Sequence, residues 1–364
     1  MDSALTILHL DPERGWRGGQ RQTLWLAAGL ARRGHRSVIA ARPGEPLYER
    51  ARAAGLAVVP AAPFGELDVL AALRLRRLIA REGVRIVHAH SGHSVALAAL
   101  ATLGTRACVV VTRRVDFPLK RNPGTRWKYG RAAGVVAISR AVAAVLRASG
   151  VPEPVRIIPD GVDLSRRVQP ASAEALAALG VPPGAPLVVM VAALVDHKDP
   201  LNFVAAVDAA RRRVPGLHAL LVGDGRLRPA VEAEVVRRGL ADALHVAGYR
   251  TDADALLAAA TVATLSSKEE GMGSVLLDAM AFGVPVAATR AGGITDAVVD
   301  GVSGLLAPPR DGDALGEAIA RVVLDPALAA RLAAAGRERV REFSVEQMAR
   351  RYEHAYRDIL HRRG

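Results

Sequence analysis

In the stretch "EEGMGSVLLDAM", residues 269–280, Glu270 stands against the glycine pair Gly271 and Gly273, and an apolar helical pattern starts at once. A second carboxylate, Asp278, lies inside that pattern among Val275, Leu276, Leu277, Ala279 and Met280. Neither carboxylate is ordinary for a helix start. Glycines let a ligand approach the main chain, and the free N–H groups of a helix N-terminus attract an anion. With a helix beginning near Gly273, the N–H groups of Met272, Gly273, Ser274 and Val275 would face a diphosphate. Glu270, just before that seat, can accept hydrogen bonds from hydroxyls of a neutral group carried on the phosphate. Asp278, about a turn inside the helix, can bond a vicinal diol such as a ribose. Phosphate, sugar and ribose together describe a nucleotide sugar.

Three other loops hold residues of the right type. Gly18 and Gly19, in "DPERGWRGGQRQ", lead into a helical stretch beginning near Gln20, which reads either as a second anion-facing helix start or as a tight turn. Lys198 stands between two aspartates in "VAALVDHKDP", where Asp199 can cap a helix. A lysine at that end opposes the helix dipole, so Lys198 is either a ligand for an anion or a solvated side chain. In "HAHSGH", residues 88–93, His88 and His90 share one strand face, and His93 makes a third candidate metal ligand. No carboxylate lies near them in sequence, so the expectation is one packed histidine and His90 lining a cleft. No G-x-G-x-x-G follows the first strand of either half, and no Gly-Lys-Ser/Thr phosphate loop occurs, so dehydrogenase and nucleotide triphosphatase readings lose their usual support.

The elements that must position these loops follow from periodicity. Short β-type runs near 5–10, 37–41, 85–90, 107–112 and 134–138 alternate with helical runs near 20–33, 68–82, 93–103 and 139–149. After a Pro/Ala/Gly-rich stretch the alternation restarts, with strands near 187–192, 218–222, 243–247, 262–265 and 285–288 and helices near 199–214, 227–238, 273–282 and 312–324. Alternation of this kind makes parallel sheets covered on both faces. The fold class is therefore α/β, with two doubly wound Rossmann-like domains, 1–165 and 166–343, facing a cleft. A last helix over 344–364 opens with Ser344 and Gln347 at capping-box spacing. Ligands in such sheets bind where strands end and helices begin. The chain has 364 residues and one cysteine, Cys108, inside an apolar run, which excludes disulfides and fits a reducing cytoplasm. No apolar run reaches spanning length, and the first ten residues have no basic start, so no signal peptide is expected.

With these motifs in order, the chain resembles the retaining glycosyltransferases of family 4, of GT-B fold. The resemblance runs along the whole chain. It is strongest over 187–310, where "SSKEEGMGSVLLDAMAFGVPVAATRAGG" is similar to the family's paired-acid signature; "RGGQRQ", "IVHAHS", "AISRAV", "IIPDGVD" and "VGDG" are similar to weaker landmarks. It implies that Glu270 lies against the donor sugar as a catalytic group, that Asp278 holds the ribose, and that Lys198 neutralises the diphosphate. It implies that Gly18 and Gly19 close over the donor and that Tyr249 and Arg250 lie at the base. It implies that the last helix crosses back to the first domain, and that transfer retains anomeric configuration with no cofactor and no metal. The chain departs from the family pattern in four respects. Asp278 replaces a glutamate, Ala193 an arginine on the diphosphate, and Asp160 an asparagine. Arg113 and Arg114 stand where a cleft histidine is usual. A nucleotide-sugar epimerase and a non-catalytic nucleotide-sugar-binding protein stay open as alternatives.

The charge of +13 is unevenly placed. Residues 1–165 hold 25 basic and 12 acidic residues, whereas 166–364 hold 24 of each. Arg113, Arg114, Lys120, Arg121, Arg126, Lys128 and Arg131 stand against one acid, Asp116, in a segment expected to be loop-rich, and Arg74, Arg77 and Arg81 add a stripe at helical spacing. In the GT-B fold the first domain receives the acceptor. The expectation is thus an anionic acceptor, a cell-envelope glycan or lipid, contacted around His90, Arg113, Arg114 and Asp116, with peripheral attachment to an anionic membrane face. Aromatic residues for base stacking are scarce, so nucleic acid is not expected.

Overall fold

The computed structural model describes residues 4–120, 122–152 and 154–363. It divides into two compact units, Met1–Asp163 with Phe343–Gly364, and Leu164–Glu342.

The first unit runs β1 (Thr6–Asp11), α1 (Gly18–Arg32), β2 (Arg36–Ala41), α2 (Pro46–Ala53), β3 (Ala57–Pro60), α3 (Val69–Arg81), β4 (Ile86–Ala89), α4 (Ser94–Ala101), β5 (Cys108–Arg113), α5 (Pro123–Gly130), β6 (Gly134–Ala137), α6 (Arg140–Ala148) and β7 (Val155–Ile157). Its seven strands lie in the order β3-β2-β1-β4-β5-β6-β7, and the strand pairs are parallel. The second runs α7 (Ala173–Ala177), β8 (Leu187–Val191), a 3₁₀ turn (Asp196–Lys198), α8 (Pro200–Arg213), β9 (His218–Val222), α9 (Arg228–Arg237), β10 (Leu244–Gly248), α10 (Ala253–Ala258), β11 (Val262–Leu265), α11 (Ser274–Phe282), β12 (Val286–Thr289), α12 (Ile294–Ala297), β13 (Leu305–Ala307), α13 (Gly312–Leu324) and α14 (Pro326–Arg339). Its six strands are ordered β10-β9-β8-β11-β12-β13, again parallel. Each sheet reverses direction beside its first strand, so loops after β1 and β4, and after β8 and β11, open at a switch point.

The last helix, α15 (Val345–His361), belongs to the first unit. Ser344 caps it, accepting from the Gln347 N–H at 3.2 Å. Its buried positions Val345, Met348, Ala349, Tyr352, Ala355, Tyr356 and Ile359 repeat at three and four residues and join Ile7, Leu26, Ile86, Val110 and Val136 in one core. A side chain at Gly29 of α1 would place its Cβ 2.9 Å from that of Ala349, so the two helices cross where neither has bulk.

The segment after β5, expected to be loop-rich, contains α5, started by Asn122, whose side chain accepts from the Thr125 N–H, and by Pro123 in the first turn. Strands β7 and β13 are three residues long, too short for a period-two pattern to register.

Candidate active site

In the second unit, two loops from neighbouring strands are tied together. The Ser266 hydroxyl, just past β11, lies 3.0 Å from the Lys198 carbonyl and 2.8 Å from that of Asp199. The Lys268 N–H donates to the His197 carbonyl at 2.9 Å. These bonds fasten the 3₁₀ turn after β8 to the loop after β11. The Lys198 ammonium consequently meets the Glu270 carboxylate directly, in a hydrogen-bonded ion pair. Ser267 adds a hydroxyl 3.2 Å from the same Glu270 oxygen, and the Glu270 carbonyl accepts from Gly293 at 2.7 Å. Glu270 is 8% exposed. Burial pushes its carboxyl up, but the Lys198 charge and the bonds from Lys198 and Ser267 outweigh that and hold it below the usual carboxylate value.

Asp199 occupies the position before α8 in a left-handed conformation, φ 47°, and its carbonyl accepts from Asn202. Its side chain makes no cap, contrary to the capping expectation.

Gly273 precedes α11 at φ 72°, a conformation that favours glycine, and a Cβ there would sit 3.1 Å from Ile294. Gly271, Met272 and Gly273 are buried, while Ser274 and Val275 are half-exposed. The first N–H groups of α11 have no partner within the helix by geometry, and Leu276 turns back on the Gly273 carbonyl at 2.8 Å. Asp278, 1% exposed, lies 3.2 Å from the Arg166 guanidinium, which also bonds Asp254 and stands over the Phe282 ring at 5.6 Å. Arg166 and Asp254 sit outside every sequence motif, and only the folded chain brings them to Asp278. Tyr249 is exposed, and Arg250 makes a fork to Asp252 at 2.7 and 2.8 Å. Ala193 is exposed on a loop against which Gly223 packs so closely that a Cβ would fall 1.9 Å from the Ala192 carbonyl oxygen.

In the first unit, α1 begins at Gly18, two residues before the expected start. Gln20 accepts from the Arg17 N–H at 3.0 Å, and Thr23 bonds Asp11 at the end of β1 at 2.8 Å. Gly18 is exposed, and a Cβ at Gly19 would meet nothing within 4 Å. Glycine at 19 is therefore not demanded by packing.

Of His88, His90 and His93, His88 is the packed one, fully buried in the first unit. Parallel register sets His9 of β1 beside His88 of β4. His9 Nδ1 and His90 Nε2 are 3.0 Å apart. His88 bonds Thr112 and Tyr356, each at 2.7 Å, and Thr112 bonds Tyr352 at 2.8 Å. His90 is 6% exposed. His93 is exposed and turns to Glu13 at 2.9 Å. His9, His88 and His90 could group around an ion by distance. Yet both nitrogens of His88 are engaged, and the Arg114 guanidinium stands 3.3 Å from His90 Nδ1. A cation there would face a fixed positive charge.

Arg114 corrects the acceptor expectation. Its Nε donates to Asp160 at 3.1 Å, and the two side chains are 10% and 8% exposed. It is a buried ion pair, not part of a cationic surface. Asp160, one of the departures from the family pattern, is its counter-charge. Arg113 donates to the Val115 and Phe117 carbonyls, and Asp116 is half-buried beside them. Lys128 is spent on Glu66 at 2.7 Å. Arg121 lies outside the described residues.

Residues 16–166 match the family model described as Glycosyltransferase Family 4, and residues 172–339 match that of Glycosyl transferases group 1. The chain is 28% identical over 340 residues to the lipopolysaccharide core biosynthesis glycosyltransferase LpsE of Rhizobium meliloti, covering 92% of this chain and 94% of that one. It is 34% identical over 220 residues to a D-inositol 3-phosphate glycosyltransferase of Saccharomonospora viridis; that match covers 57% of this chain and about half, 51%, of the relative. The crystal structure of Anabaena HepE in complex with UDP superimposes with a TM-score of 0.83 at 20% identity, over 97% of this chain and 100% of that one, and shares its fold. With two parallel α/β units, a C-terminal helix returned to the first, and two family models that between them take in nearly the whole chain, the protein belongs to the family 4 glycosyltransferases of GT-B fold.

Proposed function

We propose that the protein transfers a sugar from a nucleoside-diphosphate sugar to a hydroxyl of an acceptor, with retention of anomeric configuration and without a metal. The observation that carries this reading is the buried Lys198–Glu270 pair beside the left-handed Gly273 that opens α11. As the sugar leaves, positive charge develops on its anomeric carbon and negative charge on the diphosphate, whose leaving oxygen takes the proton of the acceptor hydroxyl as the new bond forms. Lys198 and the N–H groups of Met272 to Val275 stabilise the leaving diphosphate, and Glu270, held ionised, orients the sugar and stabilises its cationic character. Asp278 and Arg166 together form the ribose end. Gly18 and Gly19 leave the main chain at the start of α1 open to an anion. The complex of HepE with UDP makes a uridine nucleotide the first donor to try.

The acceptor is read as an anionic cell-envelope glycan or lipid, received by the first unit and presented at an anionic membrane face. The lipopolysaccharide core role in the name of LpsE supports an envelope acceptor, and the charge excess of residues 1–165 supports an anionic one.

The test is release of nucleoside diphosphate from a panel of nucleotide sugars, with product configuration read by proton NMR. Glu270→Gln should fold and bind donor but turn over roughly a hundredfold more slowly. Turnover within threefold of the parent removes Glu270 from the mechanism, and an inverted product overturns retention.

A further inference from the structure

The first unit carries an apolar surface that its own fold leaves uncovered. Helix α3 buries Ala72, Leu75 and Ile79. A surface helix needs only that one apolar stripe. The opposite face of α3 presents a second one. Leu70 and Leu73 are 67% and 43% exposed, and Arg74, Arg77 and Arg81 continue the same face toward the C-terminus, all exposed. The loop that enters the helix adds Phe64 at 103%, Leu67 at 69% and Val69 at 60%. Five large apolar side chains within ten residues stand in water, although isolated exposed apolar residues are common and need no account.

The loop is held in that posture. Asp68 caps α3 by accepting from the Ala71 N–H at 2.9 Å, and its other oxygen accepts from the Phe64 N–H at 3.1 Å. Glu66 is bonded to Lys128 of α5, which ties that helix, with its exposed Trp127, to the same loop. The two acids of the segment are thus committed to capping and pairing, and they leave the apolar tip next to cations. The side chains project outward rather than line a groove, so the matching partner is soft and deformable. An apolar tip followed along one helix face by arginines is the arrangement of a segment that lies at a lipid interface, with the apolar groups below the headgroups and the cations among them.

We propose that Phe64, Leu67, Val69, Leu70 and Leu73 insert into an anionic bilayer surface while Arg74 and Arg77 contact its headgroups. This deepens the acceptor reading above and rests on it for the biological setting, whereas the surface itself rests on exposure and charge.

The experiment is sedimentation of the full chain with vesicles of phosphatidylcholine containing a third phosphatidylglycerol, and with phosphatidylcholine alone. The parent should bind the mixed vesicles, and added salt should weaken but not abolish binding. The variant Phe64→Ser/Leu67→Ser/Leu70→Ser should partition at least tenfold less, with all arginines in place. Arg74→Gln/Arg77→Gln should lose the salt-sensitive part. Thermal shift with UDP, read in parallel, reports the second unit, so a folded chain that binds nucleotide but not vesicles separates failure of this inference from failure of the glycosyltransferase reading. Equal partitioning of parent and serine variant overturns the proposal. So does a parent that ignores vesicles yet self-associates in a way the serine substitutions abolish, which would assign the surface to a second copy.

Discussion

Replacing Lys198 by methionine separates what the ion pair does for the fold from what it does for the ligand. The side chains of Lys198 and Glu270 are 20% and 10% exposed, so the pair is mostly withdrawn from water. Removing one partner of a fully buried pair costs about 3–5 kcal/mol because the other charge is left unpaired. The residual exposure here places the expected loss near the low end of that range, about 3 kcal/mol at pH 7. The loss should depend on pH with a definite sign. In the parent, Glu270 is held below its ordinary value, so its contribution is present above the unfolded carboxylate range and disappears as pH falls through the depressed folded value. Without Lys198 the largest remaining influence is burial, which raises the carboxyl. The variant's Glu270 then protonates more readily when folded than when unfolded, and the gap between variant and parent narrows as pH falls from 7 toward 4. Urea denaturation at the two pH values measures this. Nucleotide affinity, read by calorimetry, should fall by about 1.5–3 kcal/mol, or roughly 10- to 150-fold, the worth of a hydrogen bond to a charged group. The double variant Lys198→Met/Glu270→Gln should regain part of the stability and none of the affinity. A single variant within about 0.5 kcal/mol of the parent at pH 7, the range of a neutral surface change, would refute the claim that the pair is buried and coupled.

Arg166→Ala should cost about 2–4 kcal/mol by leaving the buried Asp278 carboxylate without its guanidinium, and Arg166→Lys should not restore it, since one ammonium cannot reproduce a fork to both Asp254 and Asp278; denaturant unfolding decides. Tyr356→Phe deprives His88 Nδ1 of its buried partner, and an unfolding free energy lower by about 1–3 kcal/mol is expected, with an unchanged value counting against the network. Burial holds His9 down to about 3 and lowers His88 and His90 well below the usual value, with Arg114 adding to the effect on His9. The unfolded chain takes up these protons near pH 6.5 and the folded chain does not, so stability should fall between pH 7 and 5 by about 2 kcal/mol per histidine, and His9→Gln should remove one such share.

The two sheets were legible because their central strands are unbroken apolar runs, such as "CVVVT" and "LVVMV", between helical runs with clear periods. What escaped were elements too short to show a period, such as β13, and α5, whose start depends on the Asn122 cap rather than on apolar spacing. In the candidate site, Lys198 and Glu270 were each named from local chemistry, yet their mutual bond depends on Ser266 and Lys268 fastening two distant loops, which no local pattern encodes. Arg114 shows the opposite limit. Counted as one of seven basic residues near a strand end, it read as surface charge. Its counter-ion Asp160 lies 46 residues away, so the neutralisation could be seen only in the fold. His9 was missed beside His88 for the same reason, since it is the parallel register that makes them neighbours.

The return of α15 to the first unit has a consequence for synthesis. The sheet face that Tyr352, Tyr356 and Ile359 cover is made from the first 160 or so residues, but its cover is encoded after the whole second unit. At about 5–20 residues per second, roughly 10–40 s separate the emergence of β7 from that of α15. During that interval Ile7, Val110 and Val136 have the α1 residues Leu26 and Leu30 beside them but lack the cover of α15, and the nascent first unit exposes a strip of core to solvent. Chaperone dependence and aggregation should therefore concentrate before α15 leaves the ribosome, and a stop codon just after Phe343 should be far more damaging to the N-terminal sheet, distant in sequence, than to the second unit that immediately precedes it.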